Sequence, residues 1–326
     1  MNNKSIMKRI FPSILFLMIS LLLFSCSPSP ERPEEEHNPN NTPETPQVLE
    51  EMEEELLNLM HDLDSIEGIQ VAMLEEENEK MEEDMEESYV LKSEEDEVVL
   101  AEEHDEGEEE TKENGVDVQR LIHEHQLIGI LLGAEDIEGN LDLDELPPAD
   151  MEALWFELNN LIDELHRKWN VLEPELQKAK VDRSDIEEFE EQLDRLSLTV
   201  LDQEIMESLF HSNQLTFLLA KYRGNFDDDL PNEIPKMKFY IRESVLLAAN
   251  DNFVEAVDAV ESAQELEEQI RHILIKEDAE DVVQKFQLSI DDLIHELNNE
   301  DFYLTQIKAP IVIKNIMLMD ETFSAH

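Results

Sequence analysis

From Met151 to Leu176 apolar residues recur every three or four positions: Met151, Leu154, Trp155, Leu158, Leu161, Ile162, Leu165, Trp169, Leu172 and Leu176. That spacing is one face of an α-helix about seven turns long; a strand would alternate its faces every two residues. Pro147 and Pro148 stand just ahead of it, and Pro174 is expected to kink or end it. Trp155 and Trp169 share this face, so core packing is expected of both.

The same period continues through the rest of the chain. Ser184-Asp185-Ile186-Glu187 reads as a capping box opening a second helix. Its stripe runs Ile186, Phe189, Leu193, Leu196, Val200, then Ile205, Leu209 and Phe210, then Leu215, Leu218 and Tyr222, with Gly224 as a stop. A connecting helix is expected near 236–249, two more near 252–276 and 279–298, and a buried closing segment from Phe302 to Met319 bent at Pro310. Only seven glycines occur in 326 residues, and no G-x-G-x-x-G, Walker-type loop or G-x-S-x-G is present. Nucleotide-binding α/β folds need glycine where backbone must approach phosphate, so the expected fold class is all-α, a helical bundle over 116–326.

Two parts of that bundle resemble each other. Asp163-Glu164-Leu165, Trp169 and Leu172 align with Gln264-Glu265-Leu266, Ile270 and Ile273 at an offset of 101. Phe189, Leu193, Asp194, Leu196 and Val200 align with Phe286, Ile290, Asp291, Leu293 and Leu297 at an offset of 97. The expectation is an internal duplication, two long helical hairpins near 150–222 and 252–321 stacked with the 236–249 helix between them. Leu246 to Val257 resembles the turn between two tetratricopeptide helices, at this one hinge and without a second copy at the 34-residue period.

Acidity bounds the partners. The net charge is −58, with 82 Asp and Glu against 24 Lys and Arg. The excess is shared about evenly between residues 31–115 and 116–326, and it argues against nucleic acid, whose phosphates would be repelled. Residues 26–115 read as an acidic low-complexity tether with one short helix near 48–66, marked by Leu49, Met52, Leu56, Leu59, Leu63 and Ile66, which is expected to pack on the main domain, with a coiled-coil partner segment as the alternative. The Glu- and Asp-rich run 75–113 invites weak divalent-cation binding through oxygen ligands, although no ligand spacing is visible.

The candidate sites are few. His123 and His125 sit two apart in a short helix expected near 116–132, where they face different sides. Asp136, Glu138, Asn140, Asp142 and Asp144 alternate like a calcium loop. The sixth position is Glu145 rather than Gly and the twelfth is Met151 rather than Glu, so a solvated loop is expected. Asp163 with His166, Asp292 with His295 and Glu207 with His211 have one-turn spacing and are expected to be surface ion pairs. Met73, Met81 and Met85 are expected to be packing residues rather than soft-metal ligands. No Ser/His/Asp arrangement and no cysteine nucleophile is apparent. The expectation is therefore a non-enzymatic protein with no catalytic residue, no cofactor and no metal site.

The remaining feature is the N-terminus. Lys4, Lys8 and Arg9 precede an almost uninterrupted apolar run from Ile10 to Leu23, and Leu23-Phe24-Ser25-Cys26 closes on the only cysteine of the chain. About 14 apolar residues fall short of the ~20 needed to span a bilayer. This segment resembles the signal peptide and lipobox of bacterial lipoproteins, and the remainder resembles, in style, the acidic helical envelope lipoproteins of Gram-positive bacteria. The resemblance implies removal of 1–25, lipid attachment at Cys26, and a cell-membrane anchor on the extracytoplasmic face. The expected role is a structural or protein-interaction module with an envelope partner; the alternative is a ligand- or cation-binding lipoprotein with its site between the hairpins or in the tether.

Overall fold

The apolar stripes become ten α-helices among the residues described by the structure, a computed structural model: 42–94, 116–141, 151–226 and 231–324. They are α1 (Gln47–Glu94), α2 (Val118–His125), α3 (Gly129–Gly133), α4 (Met151–Lys178), α5 (Arg183–Leu201), α6 (Ile205–Arg223), α7 (Glu233–Ala249), α8 (Phe253–Lys276), α9 (Glu280–Asn298) and α10 (Phe302–Ser324). The chain is an all-α helical bundle. The N-terminal run, Cys26 and the acidic stretch 95–115 lie outside the described residues.

Helix packing divides the body Thr42–His326 into two rings of four. In the first, α1 packs on α4, α4 on α5, α5 on α6, and α6 back on α1; in the second, α7, α8, α9 and α10 close in the same way. Helix α6 packs on α7 and joins the rings. The arrangement corrects two expectations. The short helix expected at 48–66 packs on the main domain as expected, but it is the first helix of ring one rather than part of a tether and runs on from Gln47 to Glu94. The helix expected to connect two hairpins is the first helix of ring two.

The rings repeat in register. A shift of 98 residues carries buried Leu158, Ile162, Leu165, Trp169, Leu172 and Leu176 of α4 onto Ala256, Val260, Ala263, Glu267, Ile270 and Leu274 of α8, all buried. A shift of 97 carries Ile186, Phe189, Leu193, Leu196 and Val200 of α5 onto Val283, Phe286, Ile290, Leu293 and Leu297 of α9. The same shift places every buried residue of α10 on a buried residue of α6. A shift of 185 carries Leu49, Met52, Leu56, Met60 and Leu63 of α1 onto Ile234, Met237, Ile241, Val245 and Ala248 of α7. The first hairpin helices therefore match at 98, not at the 101 expected from sequence.

The turns repeat as well. Lys180 and Asp278 occupy equivalent positions with φ of 62° and 60°, and Gln203 and Glu300 do so with 61° and 56°. Each closes a Schellman motif: Val181 N–H donates to Leu176 C=O as Ala279 does to Leu274, and Glu204 N–H donates to Thr199 C=O as Asp301 does to Glu296. Such turns satisfy the last carbonyls of one helix and reverse the chain within four residues. The turn at 202–204 splits the long stripe 186–222 into α5 and α6, so the first hairpin has three helices rather than two. No glycine occurs in these turns, which removed the usual sign of a stop.

Three further local expectations change. Helix α4 passes through Pro174 and ends at Lys178, and α10 passes through Pro310. Helix α5 starts at Arg183 behind Asp182, with no capping hydrogen bond from a side chain. The single helix expected at 116–132 is two, α2 and α3. Trp155 and Trp169 are buried as expected, and Trp169 stacks on Phe189 with ring centroids 4.2 Å apart.

Candidate functional site

Residues 116–141 are inserted between α1 and α4 and are held by polar groups buried inside the body. Asp62 and Asp64 project from α1 and are 0% and 4% exposed. Asp64 accepts from three backbone N–H groups, those of Leu127 at 2.9 Å, Ile128 at 2.9 Å and Gly129 at 2.7 Å. These are orphan donors at the start of α3, which a carboxylate satisfies while facing the positive end of the helix. Asp62 Oδ1 accepts from Asn140 N–H at 2.9 Å and Leu141 N–H at 3.2 Å. One turn of α1 thus holds the inserted segment at two places, its middle at 127–129 and its end at 140–141.

Glycine makes the close fit possible at two points. A Cβ on Gly68 would lie 2.3 Å from the backbone Cα of Ile122, so α2 can rest against α1 only where α1 lacks a side chain. Gly139 has φ +76°, and a Cβ there would meet His61 Nδ1 at 2.4 Å and Asp62 Oδ1 at 2.5 Å.

The inserted segment reaches ring two through Arg242, which is 1% exposed. Its Nη1 donates to both oxygens of Glu135 at 2.8 Å, its Nε to Asn213 Oδ1 at 2.9 Å and its Nη2 to Thr216 Oγ1 at 2.9 Å. Asn213 Nδ2 in turn donates to Glu243 at 2.9 Å. A guanidinium with fork-shaped donors suits such a site, because every polar face of the buried charge finds a partner. Gln306 Nε2 adds two bonds of 3.0 Å to the carbonyls of Gln126 and Leu127. The seam between the rings is therefore keyed by residues of the insertion.

Burial sets the electrostatics. It pushes the Asp62 and Asp64 carboxyls up to about 6 against the opposing pull of the backbone donors. It likewise raises Glu243, despite its bond from Asn213 and the nearby Arg242 charge. The Asp62 Oδ2 and His61 Nδ1 atoms are buried with no hydrogen-bond partner among the described residues, and burial lowers the His61 pKa.

The sequence candidates fall elsewhere. His166 Nε2 hydrogen-bonds Ser197 Oγ at 2.8 Å across α4 and α5, and His211 Nδ1 hydrogen-bonds Gln192 at 2.9 Å across α5 and α6, so neither forms the one-turn ion pair expected. His295 meets Asn299 at 3.2 Å rather than Asp292, which pairs with Lys308. His125 lies 3.7 Å from Glu67, while His123 is exposed. Glu138 and Asn140 are exposed in a loop whose backbone turns toward Asp62. Met73 packs against the core, whereas Met81 and Met85 are each 55% exposed. Among the described residues no three His, Cys, Asp or Glu side chains form a group able to hold a metal. No helix among them is long and apolar enough to cross a membrane.

Sequence reasoning missed Asp62, Asp64, Glu135 and Arg242. The carboxylates are camouflaged in an acidic chain. Arg242 carried a signal, a cation next to Ile241 and one turn before Val245 on the apolar face of its helix. No family model matches the chain, and comparisons with curated proteins and with solved structures find no similar sequence and no similar fold.

Proposed function

We propose that the chain is a lipid-anchored extracytoplasmic protein of the cell envelope whose helical body serves as a structural or protein-interaction module. The observation that carries the reading is the order of the N-terminal features: three cations, an apolar run too short to span, and Leu23-Phe24-Ser25-Cys26 with no other cysteine in the chain. The described body agrees with this role, because its buried charges join helices and loops: Arg242 to Glu135, and Asp62 and Asp64 to backbone donors. A body with this acidity would be held at a membrane by acyl chains rather than by its own surface.

The test is metabolic labelling with a tagged fatty acid in a bacterial host, followed by membrane fractionation. The native chain is expected to take up label and sediment with membranes, and Cys26→Ala to do neither. Label retained by Cys26→Ala, or an unlabelled native chain in the soluble fraction, would reject the anchor.

A further inference from the structure

Two helices of the body carry apolar stripes that the other described residues leave exposed. On α10 the stripe is Tyr303, Ile307, Ile311 and Leu318, spaced four, four and seven residues and so on one face. Tyr303 is 71% exposed and Ile311 47%. The repeat does not demand this stripe. The equivalent positions in α6 are Met206, Phe210, Gln214 and Lys221, so two of the four are polar in ring one. Between Phe302 and Met319 the only charged residues are Lys308, which pairs with Asp292 of α9 at 2.9 Å, and Lys314, so this stretch carries no carboxylate on a chain of net charge −58.

The second stripe is Leu74, Met81 and Met85, spaced seven and four residues on α1 beyond buried Ala72. The segment of α1 from there to Glu94 extends about 33 Å at the helical rise of ~1.5 Å per residue. Its sequence from Leu74 to Ser88 holds nine carboxylates and one lysine, Lys80.

We infer that the α10 stripe is a docking face for the acidic tip of α1 from a second copy of this chain. The tip stripe covers about 17 Å and the α10 stripe about 22 Å, so one helix can lie along the other. Methionine side chains adapt to an apolar surface of that kind. The acidic tip meets Lys314 on a stretch of α10 that has no carboxylate of its own, whereas most other surfaces of a second copy would meet carboxylates with carboxylates. Tip and stripe are different surfaces, so the contact is heterologous. Two reciprocal contacts close a two-fold dimer, and a contact that does not close builds a head-to-tail chain. The inference deepens the interaction part of the proposed function and rests on that part alone, since it holds whether or not Cys26 carries lipid.

The experiment uses full-length chains in which Cys26→Ser removes the native thiol. Chains with Met81→Cys and Ile311→Cys are mixed under mild oxidation, and disulfides joining positions 81 and 311 between copies are quantified by mass spectrometry. Expected is a cross-link at least tenfold faster than that of Met81→Cys mixed with Val254→Cys, an exposed apolar position on α8. Adding Ile307→Glu to the Ile311→Cys chain should bring the rate down to the control. In parallel, sedimentation of the Cys26→Ser chain should give a mass above the monomer that Ile307→Glu with Ile311→Glu restores to monomer, with helical circular dichroism unchanged. Equal cross-linking rates for the two mixtures, or a mass indifferent to Ile307→Glu and Ile311→Glu, would overturn the proposal. So would a monomer whose α10 variants lose binding to anionic vesicles, an outcome that assigns the stripe to a lipid surface. Failure of the fatty-acid label alone leaves this result unaffected and rejects only the anchor.

Discussion

Arg223 and Asp320 occupy equivalent positions at the ends of α6 and α10, 97 residues apart, and carry opposite charges with their partners inverted to match. Arg223 Nη2 lies 2.8 Å from Glu53 of α1, and Asp320 lies 3.3 Å from Lys238 of α7, where Glu53 and Lys238 are themselves equivalent at the shift of 185. In each ring the last helix is thus pinned to the first by an ion pair at equivalent positions, with the sign reversed between rings, and in ring one Arg223 also reaches Glu50 at 3.8 Å. Both pairs border a shared cavity of about 260 Å³ that Glu50, Glu135 and Pro235 also line.

Reversing one member should cost stability, and reversing both should restore it. These side chains are partly buried, so Glu53→Lys is expected to lower the free energy of unfolding by about 1–2 kcal/mol, between the values for exposed and buried pairs. Glu53→Lys combined with Arg223→Asp should recover most of that. Urea unfolding of the four proteins of the cycle measures the coupling.

The buried guanidinium should behave differently. Arg242→Leu leaves Glu135 buried without its partner and should cost about 3–5 kcal/mol. Arg242→Leu with Glu135→Leu removes both charges and should be much less harmful. If the double variant is no better than the single one, the bidentate pair is not the main content of this contact.

The clamp on α1 predicts a pH dependence of unusual sign for carboxylates. Asp62 and Asp64 have folded values near 6, above the ordinary 3.8. The folded state therefore binds more protons between pH 4 and 6, and stability is lost as pH rises through that window. Going from pH 7 to pH 5 should raise the unfolding free energy by about 1 kcal/mol for each carboxylate. Thermal melts of the native chain, Asp62→Asn and Asp64→Asn at these two pH values test this, and each variant should show a smaller rise.

Gly68 should be intolerant of a side chain. Its Cβ would meet backbone, which cannot move aside as a flexible side-chain end can. Gly68→Ala is expected to lift α2 from α1 and accelerate amide exchange across 118–133, while exchange in α8 and α9 is unchanged.

General repulsion should also be visible. With a net charge of −58, the melting temperature should rise between 10 mM and 500 mM NaCl, because screening shortens the reach of like charges from about 30 Å to a few ångströms. A flat response would mean that the acidic surface does not strain the fold.

The helical architecture was legible because buried faces obey a strict period, and α4 could be traced almost to its ends. The turn at 202–204 left one trace, the five-residue step from Val200 to Ile205, which breaks the three-and-four spacing that the stripe keeps on either side. The repeat was half visible. Phe189 and Phe286 remain phenylalanine, so 97 emerged directly. In α4 and α8 the stacked Trp169 has become Glu267, a fully buried glutamate bonded to Arg271 Nε at 2.9 Å. Without that landmark the offset slipped by three residues, nearly one helical turn, over which an apolar stripe looks like itself. The buried polar site was the least legible part. Asp62 and Asp64 differ from dozens of solvated carboxylates only in what folds over them, and that comes from a segment more than sixty residues away.

The inverted ion pairs bear on how such a chain avoids mistakes while it folds. Two rings with the same apolar register could exchange their first helices, since the shape of each core would accept the other's. An exchange would bring Glu53 against Asp320 and Lys238 against Arg223, like against like at both ends. The sign reversal lets only the correct pairing keep both contacts, and so allows two similar halves to be made in one polypeptide without trading parts.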